Sequence, residues 1–151
     1  MKRLSLVLIL GILLSGCGEV PQPCFCVKRG DISITLDAPA EPVLSALGVP
    51  FGYGERKSSR GSGVERTYRF SGLRLVTYEG RDGERILGVT ITAGGQRTPE
   101  GIAVGDSAAQ VRQCFGPQAI REDRCTLRRP HEQMEVRLQN NVVASIAYSL
   151  I

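Results

Sequence analysis

The chain resembles itself at an offset of 68 residues, and this internal repeat limits the folds that it can adopt. Ile34 matches Ile102, since 102 − 34 = 68, and the same offset relates the other matched positions. These pairs are Leu36/Val104, Ala40/Ala108, Val43/Val111, Leu47/Phe115 and Gly48/Gly116. Such self-similarity indicates two copies of one supersecondary unit sharing a core. We therefore predict one folded domain over residues 31–151, with repeats at 31–97 and 98–151.

Each unit is predicted to begin with a short strand or extended entry, at residues 34–36 or 102–104, and to continue with a short helix. Apolar residues stand four apart on one helix face, at Val43 and Leu47 and again at Val111 and Phe115. Asp106 is predicted to cap the second helix at its N-terminus. Gly48 and Gly116 stand where a left-handed residue commonly ends a helix.

Three strands are predicted to follow each helix, because apolar and polar residues alternate there. They cover residues 64–70, 73–79 and 85–92 in the first unit, and 125–129, 134–139 and 142–149 in the second. Asn140-Asn141 marks a tight hairpin turn, and the Gly- and Ser-rich stretch 51–63 is predicted to be a loop that lengthens the first unit. The pattern predicts an α+β fold: two helix-plus-three-strand units forming an antiparallel sheet with short helices on one face.

A family resemblance rests on the entry to the second helix. Residues 98–107 read TPEGIAVGDS and are followed by Val111 and Phe115-Gly116. This phrase resembles the repeat domains of BamE-like and β-lactamase-inhibitor-protein-like proteins, and is similar to repeats in uncharacterised clostridial lipoproteins. The resemblance covers about residues 31–151. It implies that the two units form a continuous sheet, and it implies no chemistry.

The N-terminus has the layout of a lipoprotein signal peptide. Lys2-Arg3 precedes an apolar run over residues 4–14, which is too short to span a bilayer but has the length of a signal h-region. Residues 14–17 read LSGC, which looks like a bacterial lipobox. We predict a signal peptide over residues 1–16 and acylation of Cys17. The alternative is an ordinary secretory signal with an accidental cysteine.

The same motif predicts where the protein is found. A chain acylated at Cys17 is exported and anchored to the bacterial cell membrane through its lipid. No aspartate follows Cys17, which by analogy with other lipoproteins favours the outer membrane if the cell is diderm. Residues 17–30, with Pro21 and Pro23, are predicted to be a flexible tether.

Four cysteines remain after Cys17. An even number in an exported domain indicates disulfides, with three pairings open. We favour Cys114 with Cys125, which leaves Cys24 and Cys26 to form a local bridge or to join the body. The alternative reading of Cys24-x-Cys26 is a redox pair or metal site. No metal is predicted, because no histidine pair accompanies these cysteines.

Charge and residue types argue against several function classes. The formal charge is +4, and removing Lys2 and Arg3 leaves 4 − 2 = +2, too little to indicate nucleic-acid binding. His131 is the only histidine and stands in a polar turn, so the sequence predicts no catalytic residues and no cofactor. Arg56, Lys57 and Arg60 form the densest basic patch. They are predicted either to contact a partner or membrane, or to belong to a solvated loop.

These features together predict a membrane-anchored cell-envelope lipoprotein. It is expected to be non-catalytic and to serve as a protein-binding or scaffold module whose envelope partner is unidentified. One alternative is a binder that inhibits a secreted hydrolase, and another is an envelope enzyme.

Overall fold

The computed structural model describes residues 25–151, in which ten strands and two helices follow one another. In chain order they are β1 (Cys26–Arg29), β2 (Ile32–Thr35), α1 (Glu41–Leu47), β3 (Gly52–Lys57), β4 (Val64–Phe70), β5 (Leu73–Gly80), β6 (Gly83–Ile91), α2 (Ala108–Phe115), β7 (Ile120–Arg121), β8 (Arg124–Arg128), β9 (Glu132–Gln139) and β10 (Val142–Leu150).

Eight of these strands form one antiparallel sheet in the order β3-β4-β5-β6-β10-β9-β8-β7. Two meanders meet at its centre, where β6 pairs with β10 and Val89 lies opposite Tyr148. Bulges occur at Val76/Thr77 in the β5–β6 pair and at Val143/Ser145 in the β9–β10 pair. The remaining strands, β1 and β2, pair only with each other, as a hairpin.

The predicted α+β fold of two helix-plus-three-strand units is wrong. Strands hold 50% of the described residues and helices 12%, so the protein is mainly β. Two sheet strands, β3 and β7, and the hairpin strand β1 were not predicted. Strand β2 overlaps the entry predicted at residues 34–36, whereas the matching entry at 102–104 forms no strand. The glycines of residues 51–63 favour a loop locally, but pairing with β4 supplies hydrogen bonds that outweigh this preference.

Strand alternation divides the large sheet into two faces. We call one the covered face; it bears Leu75, Val89, Val136, Ile146 and Tyr148, all buried. The β1–β2 hairpin and both helices pack on this face through apolar side chains, including Val27, Ile34, Val43 and Val111. The other we call the open face, because its arginines are exposed.

The helices are short, and the second begins one residue later than predicted. Ser107 is the N-cap of α2: its hydroxyl accepts from the Gln110 backbone, and the Gln110 side chain accepts from the Ser107 backbone. Asp106, predicted as the cap, instead accepts from the Ala103 backbone at 2.9 Å and from Arg97 at 2.8 Å. Neither helix of residues 25–151 has the length and apolar character needed to cross a membrane.

Residues 25–30 belong to the folded body, although the tether was predicted to extend to residue 30. Phe25 and Val27 are buried in the core, and the backbone N–H of Phe25 donates to Glu132 at 2.9 Å. Alternating apolar residues made this segment a strand despite the prolines before it. Cys17, Cys24 and the predicted signal peptide lie outside the described residues.

Candidate functional site: an arginine-rich face of the sheet

The open face carries far more arginine than acid. Strand registers place seven arginines on it: Arg56, Arg69, Arg74, Arg121, Arg124, Arg128 and Arg137. Glu65 and Glu135 are the acidic side chains among the described strand residues of this face. An eighth arginine, Arg85, lies at the margin of this face and forms a salt bridge with Asp37, whose Oδ1 is 2.8 Å from Arg85 Nε. The face therefore has a clear excess of positive charge.

A groove runs along the middle of this face. It consists of two adjoining hollows of about 340 and 360 Å³, which share Arg74 and Thr90 in their linings. Small residues form part of the floor, among them Gly88, where a Cβ would stand 3.0 Å from the Tyr148 carbonyl oxygen. Because Gly88 has no side chain, the groove is deeper at this point between the arginines. Phe51, 76% exposed, lines the second hollow.

A buried carboxylate organises the first hollow. Glu65 is 4% exposed, and its Oε2 accepts from Arg56 Nε at 2.9 Å and Nη2 at 2.6 Å. Its Oε1 accepts from the Ser58 hydroxyl at 2.9 Å, and the Ser58 oxygen accepts from the Arg60 backbone at 3.0 Å. Arg60 also donates to the Leu150 carbonyl at 2.9 Å, 90 residues away in the chain. Glu65 thus fixes both Arg56 and the turn that carries Arg60.

We expect Glu65→Ala to lower the free energy of unfolding by about 1–3 kcal/mol, because Ser58 and Arg56 lose their shared acceptor. The hydrogen bond from Arg56 holds the pKa of Glu65 below its usual range, despite burial. A lowered folded-state pKa stabilises the fold above the unfolded value of 4.5, and this contribution is lost as pH falls further. Urea unfolding should therefore show the difference from wild type at pH 7 and less of it in acid.

The matched control for that experiment is Glu41→Ala. Glu41 is exposed on the outer side of helix α1, and its carboxylate accepts from the Ser45 hydroxyl at 3.0 Å. Its loss should change stability by less than about 0.5 kcal/mol. Equal effects of the two variants would show that Glu65 does not organise the groove.

Arginines at the far side of the open face are also oriented by neighbours. Arg137 Nε lies 2.5 Å from Glu135 Oε1, and Arg124 lies 4.0 Å from the other oxygen of Glu135. Arg128 Nε donates to Gln133 at 3.1 Å. These contacts leave guanidinium groups exposed, so they hold the arginines in place without neutralising the face.

Acidic side chains cluster on the other face of the first meander, which consists of strands β3 to β6. Arg66 contacts Glu55 at 3.2 Å, Glu84 at 3.4 Å, and Glu79. Tyr68 donates to Glu84 at 2.9 Å, and burial together with this carboxylate raises the pKa of Tyr68 to about 12. Three carboxylates around one guanidinium give this margin a negative local balance, opposite in sign to the excess on the open face.

The structure separates the three residues of the predicted basic patch. Arg56 and Arg60 line the groove on the open face. Lys57 is exposed on the same strand as Arg56, and alternation turns it toward the other face. The stretch predicted as a loop is strand β3 followed by a turn, and pairing with β4 is what orients Arg56.

The cysteines and the histidine do not come together. Cys26, Cys114 and Cys125 are free thiols, so the predicted Cys114–Cys125 bridge is not formed. Cys125 is buried in the core while Cys114 is exposed, and Cys114 Sγ faces the Gly101 carbonyl at 3.9 Å. His131 is exposed in the turn between β8 and β9. Within residues 25–151 no three metal-binding side chains gather.

Most of the open face was missed at the level of sequence. Arg69, Arg74, Arg124, Arg128 and Arg137 lie on strands that were predicted, or within one residue of them. These arginines alternate with the buried apolar residues along each strand, and this alternation could have placed them on the face opposite the core. Strand order, which brings them onto one surface, was not available from the sequence.

Comparison with known proteins gives no match: no protein-family model, no curated protein and no solved structure is significantly similar to this chain. The resemblance to BamE-like and inhibitor-like repeat domains therefore stays a prediction.

Proposed function

We propose that this chain is a lipid-anchored lipoprotein of the cell envelope, and that its open face binds an acidic surface of a protein partner without catalysing a reaction. The observation that carries the proposal is the excess of exposed arginine on one uncovered face of the sheet. Arginine is enriched in protein interfaces, because its planar group pairs with carboxylates through two parallel hydrogen bonds.

The apolar residues that line the groove favour a protein over a simple polyanion as the partner. Phe51 stands at one hollow with 76% of its surface exposed, and Val76 and Leu87 line the other. Aromatic and apolar anchors surrounded by arginine are typical of protein-binding hot spots. A polymer of phosphate groups would use the arginines and leave these side chains in water.

The proposed anchor limits where the partner lies. Phe25 lies eight residues after Cys17, since 25 − 17 = 8. A fully extended chain of that length reaches about 28 Å. If Cys17 carries lipid, the arginine-rich face works within a short distance of the membrane surface.

Binding of an acidic peptide by the purified full chain tests the proposal. We expect a glutamate-rich peptide with one aromatic residue to bind, and Arg69→Ser/Arg74→Ser to weaken its Kd about tenfold to a hundredfold, since each carboxylate contact supplies about a factor of ten. Fluorescence anisotropy at two salt concentrations measures this. Charge neutralisation should also reduce the salt dependence.

The control is Arg81→Ser/Arg112→Ser, which removes the same charge from exposed arginines on the β5–β6 turn and on α2. Equal weakening by both double variants would mean that net charge, not the open face, governs binding. Stronger binding of a glycerol-phosphate polymer than of the peptide at equal charge would contradict a protein partner.

A further inference from the structure

Strand β3 is a free edge of the large sheet. It pairs with β4 on one side only, with Gly52 opposite Arg69 and Arg56 opposite Glu65. Ser58 donates to the Gly63 carbonyl at 3.0 Å, so amide groups at even-numbered positions of β3 point toward β4. The N–H and C=O groups of Tyr53, Glu55 and Lys57 therefore point outward. The opposite edge, β7, has only two residues.

The segment that leads into this edge is apolar and exposed. Val49 is 95% exposed, Phe51 76% and Tyr53 54%. Phe51 lines the groove of the open face, and its backbone N–H donates to the Arg69 carbonyl at 2.9 Å, while the Tyr53 ring packs on Tyr68 on the other side of the sheet. These exposed apolar residues adjoin the outward backbone groups of β3, and together they form a surface on which another strand can pair. No described element covers them.

Charge is distributed unevenly along the edge. The first half, through Gly54, is neutral, and the second half holds Glu55, Arg56 and Lys57. Charged residues normally protect an edge from association. Here an antiparallel copy would bring its charged half against the neutral half of the first, so that the charges meet no charge of the same sign.

We propose that two copies of this chain associate through β3, antiparallel, with the Gly54 residues facing each other at the twofold axis. In this register Tyr53 lies beside the second copy's Glu55, and Phe51 lies beside the second copy's Lys57. The tyrosine hydroxyl already donates to Glu55 within one chain at 2.7 Å, so the two residue types are suited to pair between chains. The interface is isologous and joins the two sheets into one.

Neighbouring registers are less favourable. Within β3 the outward amides belong to Tyr53, Glu55 and Lys57, whereas the N–H of Phe51 donates to the Arg69 carbonyl at 2.9 Å. Since only outward groups can bond to the second copy, the sum of two paired residue numbers can change only in steps of two. One shift places Glu55 opposite the second copy's Glu55, which brings like charges together. The other places Glu55 and Lys57 opposite Phe51 and Val49, where neither charge has a polar neighbour. The proposed register brings no like charges together and gives Glu55 a polar neighbour, the hydroxyl of Tyr53.

A cysteine at the axis tests the register directly. Gly54 has no positive φ, and a Cβ there meets no atom within 4 Å, so Gly54→Cys introduces no strain. The expected Cα–Cα distance across the axis is about 4.5 Å, which permits a disulfide. In the full chain with Cys17, Cys24, Cys26 and Cys114 replaced by serine, which leaves only buried Cys125 besides the new thiol, mild oxidation with diamide should convert most of the Gly54→Cys protein to a covalent dimer.

The control in the same background is Gly52→Cys, whose copies stand about 14 Å apart in this register and cannot bridge. We expect its dimer yield to be about tenfold lower. Equal yields would show random collision and overturn the proposed register.

Sedimentation equilibrium of the chain that keeps Gly54 supplies a second measurement. Proline at position 55 removes an outward N–H without touching the hydrogen bonds to β4, and both Glu55→Pro and Glu55→Ala remove the carboxylate. Glu55→Pro should raise the dimer Kd about tenfold more than Glu55→Ala, at unchanged helix and strand content. A wild-type chain that stays monomeric over the whole concentration range, or that associates equally well with proline at position 55, would contradict pairing through β3.

Discussion

Replacing Cys17 with serine should abolish the incorporation of fatty acid into this protein. A serine hydroxyl cannot take the place of the thiol in a diacylglycerol thioether, so no chain is attached. Each buried methylene contributes about 0.8 kcal/mol, and two acyl chains are enough for stable anchoring. Metabolic labelling with a radioactive fatty acid, followed by mass spectrometry of the mature N-terminus, measures the loss.

The matched control is Cys24→Ser, which removes a nearby cysteine that precedes Phe25 by one residue. It should leave acylation unchanged, and the mature wild-type chain should begin at Cys17. A wild-type N-terminus of unmodified mass would refute lipidation itself. In that case the acidic-peptide experiment would still report on the open face, because the purified chain binds in solution.

Replacing Tyr148 with alanine should cost about 3–5 kcal/mol of the free energy of unfolding. Tyr148 is 1% exposed on central strand β10, and its ring lies 5.1 Å from that of Phe25. Its hydroxyl donates to Glu100 at 2.8 Å, and Arg129 stands 3.8 Å over the Phe25 ring. The residue therefore joins the N-terminal hairpin, the central strand and the loop that precedes α2. Urea unfolding at pH 7 measures the loss.

Tyr148→Phe separates the ring from the hydroxyl. It keeps the packing and removes one hydrogen bond, so it should cost about 1–2 kcal/mol. If the phenylalanine and alanine variants were equally unstable, the hydroxyl alone would account for the effect, and the packing argument would be wrong.

Burial of Tyr148 also predicts how the free energy of unfolding changes at alkaline pH. Burial raises the pKa of Tyr148, and burial also raises the pKa of Tyr68 to about 12. Both groups are neutral in the fold and ionise near 10.0 when unfolded. Their contribution to stability is thus complete below pH 10 and is lost as pH rises toward the folded values. Thermal unfolding should show this decline, and Tyr148→Phe should reduce it.

Local features of this fold were predictable where one short segment determines the outcome. Strand β4 has the bounds predicted for it, and the ends of β5, β6, β8, β9 and β10 differ from prediction by two residues or fewer. Asn140 and Asn141 have φ of 53° and 61°, as the predicted tight turn requires. Gly48 and Gly116 end the helices with positive φ, although their ψ values of −150° and 161° are not those of the predicted left-handed conformation. Alternation, turn residues and helix ends depend on neighbours in the chain, so the sequence contains that information.

Tertiary structure decided what depends on distant partners. Residues 51–63 were predicted as a loop, but residues 52–57 form strand β3 because they pair with β4. Residues 25–30 were predicted as part of a tether, but Phe25 and Val27 pack in the core. Cys125 was available for a disulfide in the sequence, but strand β8 buries its side chain in the core, whereas Cys114 is exposed. The arginines are scattered over six strands and become one surface only through the strand order. By itself the sequence determined six of the strands of the large sheet, the hairpin turns and the candidate lipid site. The sheet that joins these strands determined the free edge and the charged face, because both arise from pairing between segments far apart in the chain.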